Sequence, residues 1–222
     1  MEEQFIDFCK NGELELAQAL FEQDPNIDIS FHDEEAFREA CFNGHLQVAQ
    51  WLLSVDLDIE ISAKSEHAFR FACYNGYLHV AQWLLSVKPD IDISAFSNCP
   101  EHAFRGACKQ GHLHVAQWLL SVKPDIDIST CKDFAFRCAC KYGRLHVAQW
   151  LLTVKPTIDI SARNEFAFSG ACENNHLHVA QWLRLVNPKN DISLASQDMQ
   201  HKIQNLFLIY CLHHKNINTL ML

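Results

Sequence analysis

The sequence predicts an all-α protein, a solenoid of helix-turn-helix units joined by short extended loops. A phrase that runs from Ala40 to Leu52 recurs down the chain, and its later copies begin at Ala72, Ala107, Ala139 and Ala171. Within each copy the apolar residues recur at helical spacing. A unit of this size could not bury its apolar face alone, so the copies are expected to stack and to share one continuous core.

The repeat has a period of 32 residues with one longer step of 35. A cysteine holds the same place in successive copies, at Cys9, Cys41, Cys73, Cys108, Cys140 and Cys172. All five tryptophans also share one repeat position, at Trp51, Trp83, Trp118, Trp150 and Trp182. The long step indicates a loop insertion of three residues between 95 and 101. We expect the tryptophans to pack between units and to be partly exposed.

The first helix of a unit is clearest in the third copy. Between residues 66 and 75, apolar side chains fall at the i, i+1, i+4, i+5 spacing of a short helix. The helix is expected to end at Gly76, since glycine tolerates the left-handed conformation that follows a helix C-terminus. In the last full copy Asn175 stands at this place, and asparagine is the other residue that tolerates this conformation.

The second helix of the same unit is predicted over about residues 78–87. Its polar residues, His79, Gln82 and Ser86, form one narrow stripe, and the rest of its surface is apolar. Such a helix needs neighbours on several sides, which the adjoining units would supply. Pro89 is expected to end it, and the Ile-Asp-Ile-Ser segment that follows suits an extended crossing to the next unit.

Seven units follow from this pattern. Their predicted limits are residues 1–30 (an N-terminal capping repeat), 31–62, 63–94, 95–129 (with the insertion), 130–161, 162–193 and 194–222 (a degenerate C-terminal capping repeat). Glu2, Glu3, Glu13 and Glu15 make the first unit polar, as suits a solvent-facing end. The apolar run 206–212 has two interpretations, the first helix of the last unit or a docking surface for another subunit.

Composition narrows the partners and the compartment. Acidic residues outnumber basic ones by 27 to 18, and a net charge of −9 disfavours binding to nucleic acid or an anionic membrane. No apolar run reaches the ~18 residues of a membrane span. The acidic start lacks the features of a signal peptide, so the 10 cysteines favour a reducing compartment, the cytoplasm.

The repeated phrases carry a family resemblance. Gly-His-Leu-His-Val-Ala-Gln-Trp-Leu-Leu at 111–120, preceded by Ala-Cys, resembles the second-helix and Ala-Ala consensus of ankyrin repeats, and the likeness covers about residues 5–195. The Ala-Phe-Arg and Lys-Pro-Asp-Ile-Asp-Ile-Ser phrases are similar to those of the large ankyrin families of giant DNA viruses such as mimivirus. The resemblance implies a scaffold for protein–protein interaction, and a viral origin would place it in the host cytoplasm.

One departure from the ankyrin pattern raises a structural question. The family's Thr-Pro-Leu-His opening is absent, and sequences such as His67-Ala68-Phe69-Arg70 stand in its place. The hydrogen bonds that tie the first helix to the loop must therefore come from elsewhere. We hypothesise that the repeated Arg38, Arg70, Arg105 and Arg137 bond loop carbonyls or loop aspartates such as Asp58, Asp92, Asp127 and Asp159.

The cysteine ladder is interpreted as part of the core. Adjacent helices lie about 8–10 Å apart, whereas a disulfide needs Cα atoms within ~7 Å, so the ladder is expected to be reduced. Cys99 and Cys131 fall in loops and are the candidates for modification.

No metal, cofactor or catalytic activity is expected. A ladder of histidines, His79, His114, His146 and His178, spaces its rings one repeat apart, too far for a shared ion, and is expected on a solvated face. No nucleophile elbow, phosphate loop or zinc-protease motif occurs. A catalytic site needs a unique cluster, and each unit here repeats the same residues.

Comparison of the copies with one another separates constant from variable positions. The second helix is nearly constant and is interpreted as scaffold. Variation falls at the end of the first helix and in the loop, which in ankyrin proteins line the concave groove and the hairpin tips. The predicted partner-binding residues are Phe42, Asn43, Lys64, Tyr74, Asn75, Phe96, Asn98, Lys109, Gln110, Lys132, Lys141, Tyr142, Arg163, Glu173 and Asn174.

The variable aromatic residues favour binding over neutral drift, because exposed aromatic side chains anchor interfaces. The predicted partner is another protein, with no nucleic acid and no membrane, and the chain is expected to be monomeric. Two alternatives stay open at this point. In the first alternative, the chain is a substrate adaptor of a ubiquitin-ligase-type complex. In the second, it is a structural component that self-assembles through its apolar C-terminus.

Overall fold

The computed structural model describes residues 1–94, 101–190, 193 and 197–204, without the side chains of 163–165. These residues form helices and no strand, which confirms the predicted all-α fold class. The chain divides after Asp127 into two compact units. The helices of the first unit are α1 (Glu2–Asn11), α2 (Leu14–Gln23), α3 (Phe31–Phe42), α4 (Leu46–Val55), α5 (Ala63–Tyr74), α6 (Leu78–Val87), α7 (His102–Gln110) and α8 (Leu113–Val122). Those of the second unit are α9 (Thr130–Lys141), α10 (Leu145–Val154), α11 (Ala162–Glu173) and α12 (Leu177–Val186), and residues 197–204 are also helical.

Along the chain, the first helix of a repeat alternates with the second helix, as the repeat pattern predicts. In the first unit, the odd-numbered helices α1, α3, α5 and α7 pack side by side, and the even-numbered helices α2, α4, α6 and α8 each pack on the helix before them. In the second unit, α9 packs on α11, α10 on α9, and α12 on α11. Within each unit, each repeat is therefore a pair of helices that packs on the next pair.

The core repeats with the sequence. Each first helix buries one phenylalanine at 1% exposure or less, namely Phe5, Phe37, Phe69, Phe104, Phe136 and Phe168. Each of five second helices buries one leucine completely, namely Leu52, Leu84, Leu119, Leu151 and Leu183. Tryptophan packs between successive repeats. The Trp83 ring lies 6.2 Å from the Phe37 ring of the preceding repeat and is only partly exposed. The predicted packing of the tryptophans is confirmed here.

The turn between the two helices of a repeat requires glycine for two reasons. Gly76 has a φ of 85°, and the next N–H, that of Tyr77, donates to the carbonyl of Ala72 at 2.9 Å, which closes the end of α5. A Cβ at Gly76 would also lie only 2.4 Å from Nδ1 of His112, whose ring covers the glycine from the next repeat. The left-handed conformation was expected from the sequence, and the covering ring was not.

Helices α3, α5 and α9 each begin with a left-handed turn. Lys64, Ser65 and Glu66 have φ values of 52°, 58° and 60°, and the turns at residues 32–34 and 131–133 have the same conformation. Left-handed backbone costs a residue with a side chain about 1–2 kcal/mol. The right-handed part of α5 therefore starts at His67, one residue after the predicted start of the helix, and α5 ends at Tyr74.

Arginine side chains stabilise these turns. Arg38 donates from Nε to the carbonyl of Asp33 at 2.7 Å and from Nη2 to the carbonyl of His32 at 3.0 Å. Arg70 and Arg137 make the same pair of bonds to their own turns. The hypothesis of arginine bonds to carbonyls is confirmed for these three residues. Arg38 does not use the other predicted kind of partner, a loop aspartate, because the carbonyls of its own turn satisfy the guanidinium.

The third residue of each turn ties one repeat to the next. The carboxylate of Glu66 accepts the Ser62 hydroxyl at 2.8 Å and the backbone N–H of Asp92 at 3.4 Å. Glu34 accepts the N–H of Glu60 and Asp133 that of Asp159, each at 3.3 Å across 26 residues. The loop aspartates thus meet a buried carboxylate through their backbone. The turn, its arginine and its carboxylate together replace the missing Thr-Pro-Leu-His opening.

Candidate functional site

The variable positions of the first unit lie at the ends of its first helices. Phe42, Tyr74 and Lys109 occupy the last turns of α3, α5 and α7, and all three side chains are half-buried. Because these helices pack side by side, the three positions share one face. The part of this surface that α5 and α7 form is called the α5–α7 face below.

Phe71 is the centre of an aromatic cluster on this face. Its ring lies 4.3 Å from the His67 ring and stacks on it, 5.4 Å from the Phe42 ring, 5.8 Å from the Tyr74 ring and 6.1 Å from the His102 ring. The cluster therefore joins α3, α5 and α7. The half-buried state of Phe71 leaves part of the ring for contact with a partner.

Tyr74 has room because the next helix carries a glycine. A Cβ at Gly106 would lie 2.8 Å from Cδ2 of Tyr74, so any other residue there would push the phenol aside. The ammonium of Lys109 lies 5.8 Å from the centre of the same ring, within cation–π range. The two helices thus hold an aromatic ring with a cation above it.

The amide side chains at the helix ends serve the fold. Asn75 donates from Nδ2 to the carbonyl of Phe42 in the preceding repeat at 2.8 Å, and Asn43 donates to the carbonyl of Glu39 at 2.9 Å. These bonds satisfy carbonyls that a helix C-terminus leaves open. Gln110 is half-buried beside Lys109. The asparagines hold the helix ends in place, while the aromatic and basic residues are the side chains that a partner could contact.

The second unit has a group of its own on α9 and α11. The ammonium of Lys141 lies 5.4 Å from the Phe166 ring and 5.9 Å from the Tyr142 ring, and the guanidinium of Arg137 lies 5.2 Å from the Phe166 ring. Glu173 and Asn174 are exposed at the end of α11.

The predicted loop residues separate into two groups. Lys64 and Lys132 are exposed in the left-handed turns, and the Lys64 ammonium pairs with Asp33 of the preceding repeat at 3.2 Å. Phe96 and Asn98 lie outside the described residues, as do the side chain of Arg163 and the loop cysteine Cys99.

Several residues of the site were missed from the sequence. The missed side chains are His67, Phe71, His102, Phe134 and Phe166. Phe71 lies one turn before the end of its helix, and the other four share one repeat position about two turns before the end. Both positions vary between the copies. At the Phe71 position, for example, the other copies have Glu39, Gly106, Cys138 and Gly170. The same comparison of copies, extended by two helical turns, would have found them.

Two histidines of the cluster are held neutral. Burial, followed by the charges of Arg38, Arg70 and Lys64, lowers the pKa of His67 from 6.5 to about 4. Burial, followed by Arg70, Arg105 and Lys109, lowers the pKa of His102 to about 4 as well. At neutral pH the rings therefore behave as aromatic surface, and the positive charge of the face comes from lysine and arginine.

We expect the double variant His67→Phe/His102→Phe to resist acid better than the wild type. Between pH 6.5 and about 4 the unfolded histidines bind protons that the folded ones do not, so the wild type loses stability as the pH falls through this window. Phenylalanine, which occupies this position in α9 and α11, cannot titrate. Urea unfolding at several pH values measures the difference, and parallel stability curves for the two proteins would contradict the assignment.

Comparison with known proteins decides the family. The family profile described as ankyrin repeats (3 copies) matches residues 5–97 and 104–198, most of the chain. The chain belongs to the ankyrin repeat family. No curated protein matches the sequence significantly.

Solved structures agree with the ankyrin fold. The crystal structure of the human ASB11 ankyrin repeat domain superposes with a TM-score of 0.64 at 18% identity, covering 90% of this chain and 96% of that one. One chain of the complex between the Bd0816 predatory endopeptidase from Bdellovibrio bacteriovorus and immunity protein Bd3460 gives a TM-score of 0.59 at 21% identity, covering 82% of this chain and 96% of that one. At these identities the likeness concerns the fold.

The cysteine ladder of the ankyrin repeats is reduced and buried. Cys9, Cys41, Cys73, Cys108, Cys140 and Cys172 are free thiols. Burial raises the pKa of Cys9 to about 12 and, together with Glu173, that of Cys172 to about 11. Thiols held protonated in this way are poor nucleophiles and poor metal ligands. The prediction of a reduced ladder is confirmed, and Cys131 is exposed as expected.

The histidine ladder has a structural role that the sequence did not suggest. His79 and His114 are exposed, yet Nε2 of each lies 3.2 Å from the carbonyl of the turn glycine one repeat earlier, Gly44 and Gly76 respectively. The expectation of a purely solvated stripe was therefore incomplete. Among the described residues, no group of three or more potential ligands could hold a metal ion. No helix there is long and apolar enough to cross a membrane.

Proposed function

We propose that this ankyrin repeat protein is a non-catalytic scaffold that binds a partner protein through the face of its first helices and the adjoining loop tips. Ankyrin repeats in general are modules for protein–protein interaction. The observation that carries the proposal for this chain is the cluster around Phe71, because half-buried aromatic rings beside fixed cations are typical of interface anchors.

The constant second helices support the same assignment. Helix α6 has no lysine, arginine, aspartate or glutamate, and its partly exposed Trp83 is used in packing against Phe37. A surface that is nearly the same from α4 to α10 supplies a scaffold. The first helices differ from repeat to repeat, as recognition of one particular partner requires.

A photo-crosslinking experiment tests the proposal. Benzoylphenylalanine is placed at Tyr74 or Lys109 in the full chain, and at Ser86 or Ser121 on the second helices as matched controls. In the cell that makes the protein naturally, we expect covalent adducts with one partner from positions 74 and 109 only. Adducts from the control positions alone would contradict the proposal.

The remaining predictions rest on the sequence alone. Membership of a giant-virus ankyrin family and a location in the cytoplasm stay predictions. The alternative of self-assembly depends on the apolar run 206–212, which lies outside the described residues. The alternative of a ubiquitin-ligase adaptor also stays a prediction, since no feature of the described residues favours it over simple partner binding.

A further inference from the structure

We infer that the α5–α7 face docks an acidic segment of the partner protein that also carries a large apolar side chain. The inference rests on the proposed function and names the chemistry of the partner. It is carried by two features of the face, its charge and its aromatic anchor.

The α5–α7 face is basic in an acidic protein. Helices α5 and α7 carry two accessible basic residues, Lys64 and Lys109, since Arg70 and Arg105 are buried at 4% and 6% exposure, and one acidic residue. That acidic residue, Glu66, is buried at 8% exposure and is bonded to Ser62 and to the backbone of Asp92. The whole chain, by contrast, has 27 acidic and 18 basic residues. The accessible charges of α5 and α7 are thus positive in a chain that is acidic as a whole.

The neighbouring helices differ from α5 and α7 in charge. Helix α3 carries four acidic residues, Asp33, Glu34, Glu35 and Glu39, against the single basic residue Arg38. The second helices α6 and α8 carry no lysine, arginine, aspartate or glutamate. An acidic segment is therefore attracted to Lys109 and to Lys64, whose ammonium also pairs with the exposed Asp33 of α3, and is repelled by Glu35 and Glu39 of α3.

The apolar contact has a defined place beside the cations. Phe71 and Tyr74 are half-buried with ring centres 5.8 Å apart, and the Lys109 ammonium lies over the Tyr74 ring. A carboxylate of the bound segment would meet Lys109 or Lys64 while an adjacent apolar side chain packs on these rings. The neutral state of His67 and His102 keeps the surface between the lysines apolar.

An acidic peptide suits this face better than a nucleic acid. The net charge of −9 repels a long polyanion, whose phosphates would extend past α5 and α7. A short acidic segment places its charges only where the cations are. The aromatic anchor would then select among acidic segments by their apolar side chain.

Fluorescence anisotropy with the full chain tests the inference. The probes are a labelled peptide made of two copies of Glu-Asp-Trp-Glu-Asp-Leu and a matched peptide with Lys at each acidic position. We expect the acidic peptide to bind at least about tenfold more tightly than the basic one. Its affinity should fall as NaCl is raised from about 50 to about 300 mM.

Charge-reversal variants locate the binding. Lys64→Glu/Lys109→Glu should weaken the acidic peptide by about tenfold or more. Lys88→Glu/Lys123→Glu makes the same change of net charge at the ends of α6 and α8, and it should change the affinity by less than about twofold. Equal losses in the two variants would overturn the inference.

Other outcomes also decide. Preference for the basic peptide would overturn the inference, and so would tighter binding of a labelled oligouridine than of the acidic peptide. A wild-type dimer that Lys64→Glu/Lys109→Glu dissociates would place a second copy on the face and overturn it too. Photo-crosslinks from positions 74 and 109 together with any of these results would leave the proposed function standing, whereas absence of those crosslinks contradicts the proposed function itself.

Discussion

Replacing Arg38 with methionine should lower the free energy of unfolding by about 3 kcal/mol. The guanidinium donates to two carbonyls of the left-handed turn, those of His32 and Asp33, and is only 7% exposed. Hydrogen bonds to a charged group contribute about 1.5–3 kcal/mol each, and methionine keeps much of the volume of the side chain without its donors. Urea unfolding followed by circular dichroism measures the loss.

The effect is expected to be large because the turn is intrinsically unfavourable. His32, Asp33 and Glu34 all have positive φ, between 54° and 64°, and each costs about 1–2 kcal/mol in this conformation. Without the arginine, the turn loses the donors that hold it. Glu34 would then no longer be fixed to accept the N–H of Glu60, and the tie to the next loop would weaken with it.

Lys64→Met is the matched control for this variant. It also removes one positive charge beside a left-handed turn, but the Lys64–Asp33 pair is exposed, with side-chain exposures of 49% and 69%. Exposed pairs contribute about 0–1 kcal/mol, so the control should unfold almost like the wild type. If the two variants lost the same stability, the arginine would not be the clamp of the turn. A second arm adds Asp33→Gly to Arg38→Met and should recover part of the loss, since glycine adopts positive φ without strain.

The repeat fold was largely predictable from the sequence because its causes are local and recur. The second helix was predicted over about residues 78–87, and α6 spans Leu78–Val87. A proline after the helix, a glycine before it and apolar residues around it each carry their information within one repeat. The left-handed turns were not predicted, because Lys64, Ser65 and Glu66 have no preference for positive φ. Their conformation depends on Arg70, a few residues further along.

The candidate site was predictable only in outline. Variation among the copies pointed to Phe42, Tyr74 and Lys109, and the structure places these side chains on one face. The cluster around Phe71 depends on which ring meets which across α3, α5 and α7, and this information lies between repeats. The room for Tyr74 depends on Gly106 in the next repeat. A sequence pattern within one repeat cannot show such a contact.

Gly76→Ala should also cost about 3 kcal/mol, from two separable causes. Alanine would be strained at a φ of 85°. Its Cβ would also lie 2.4 Å from Nδ1 of His112, so the ring must move away from the turn that it covers. The loss therefore includes a contact between two repeats as well as local strain. Urea unfolding of the full chain measures the total.

A double-mutant cycle with His112→Ala separates the two causes. With the ring removed, Gly76→Ala should cost only its backbone strain, about 1 kcal/mol, which leaves a coupling of about 2 kcal/mol between the two positions. Gly76→Asn adds a third point, since asparagine adopts positive φ more readily but brings the same Cβ. The fold itself uses Asn175 at the equivalent turn, with a φ of 59°. If Gly76→Ala cost the same with and without the His112 ring, the glycine would be required by its own turn alone, and the ring would not limit how closely the repeats stack.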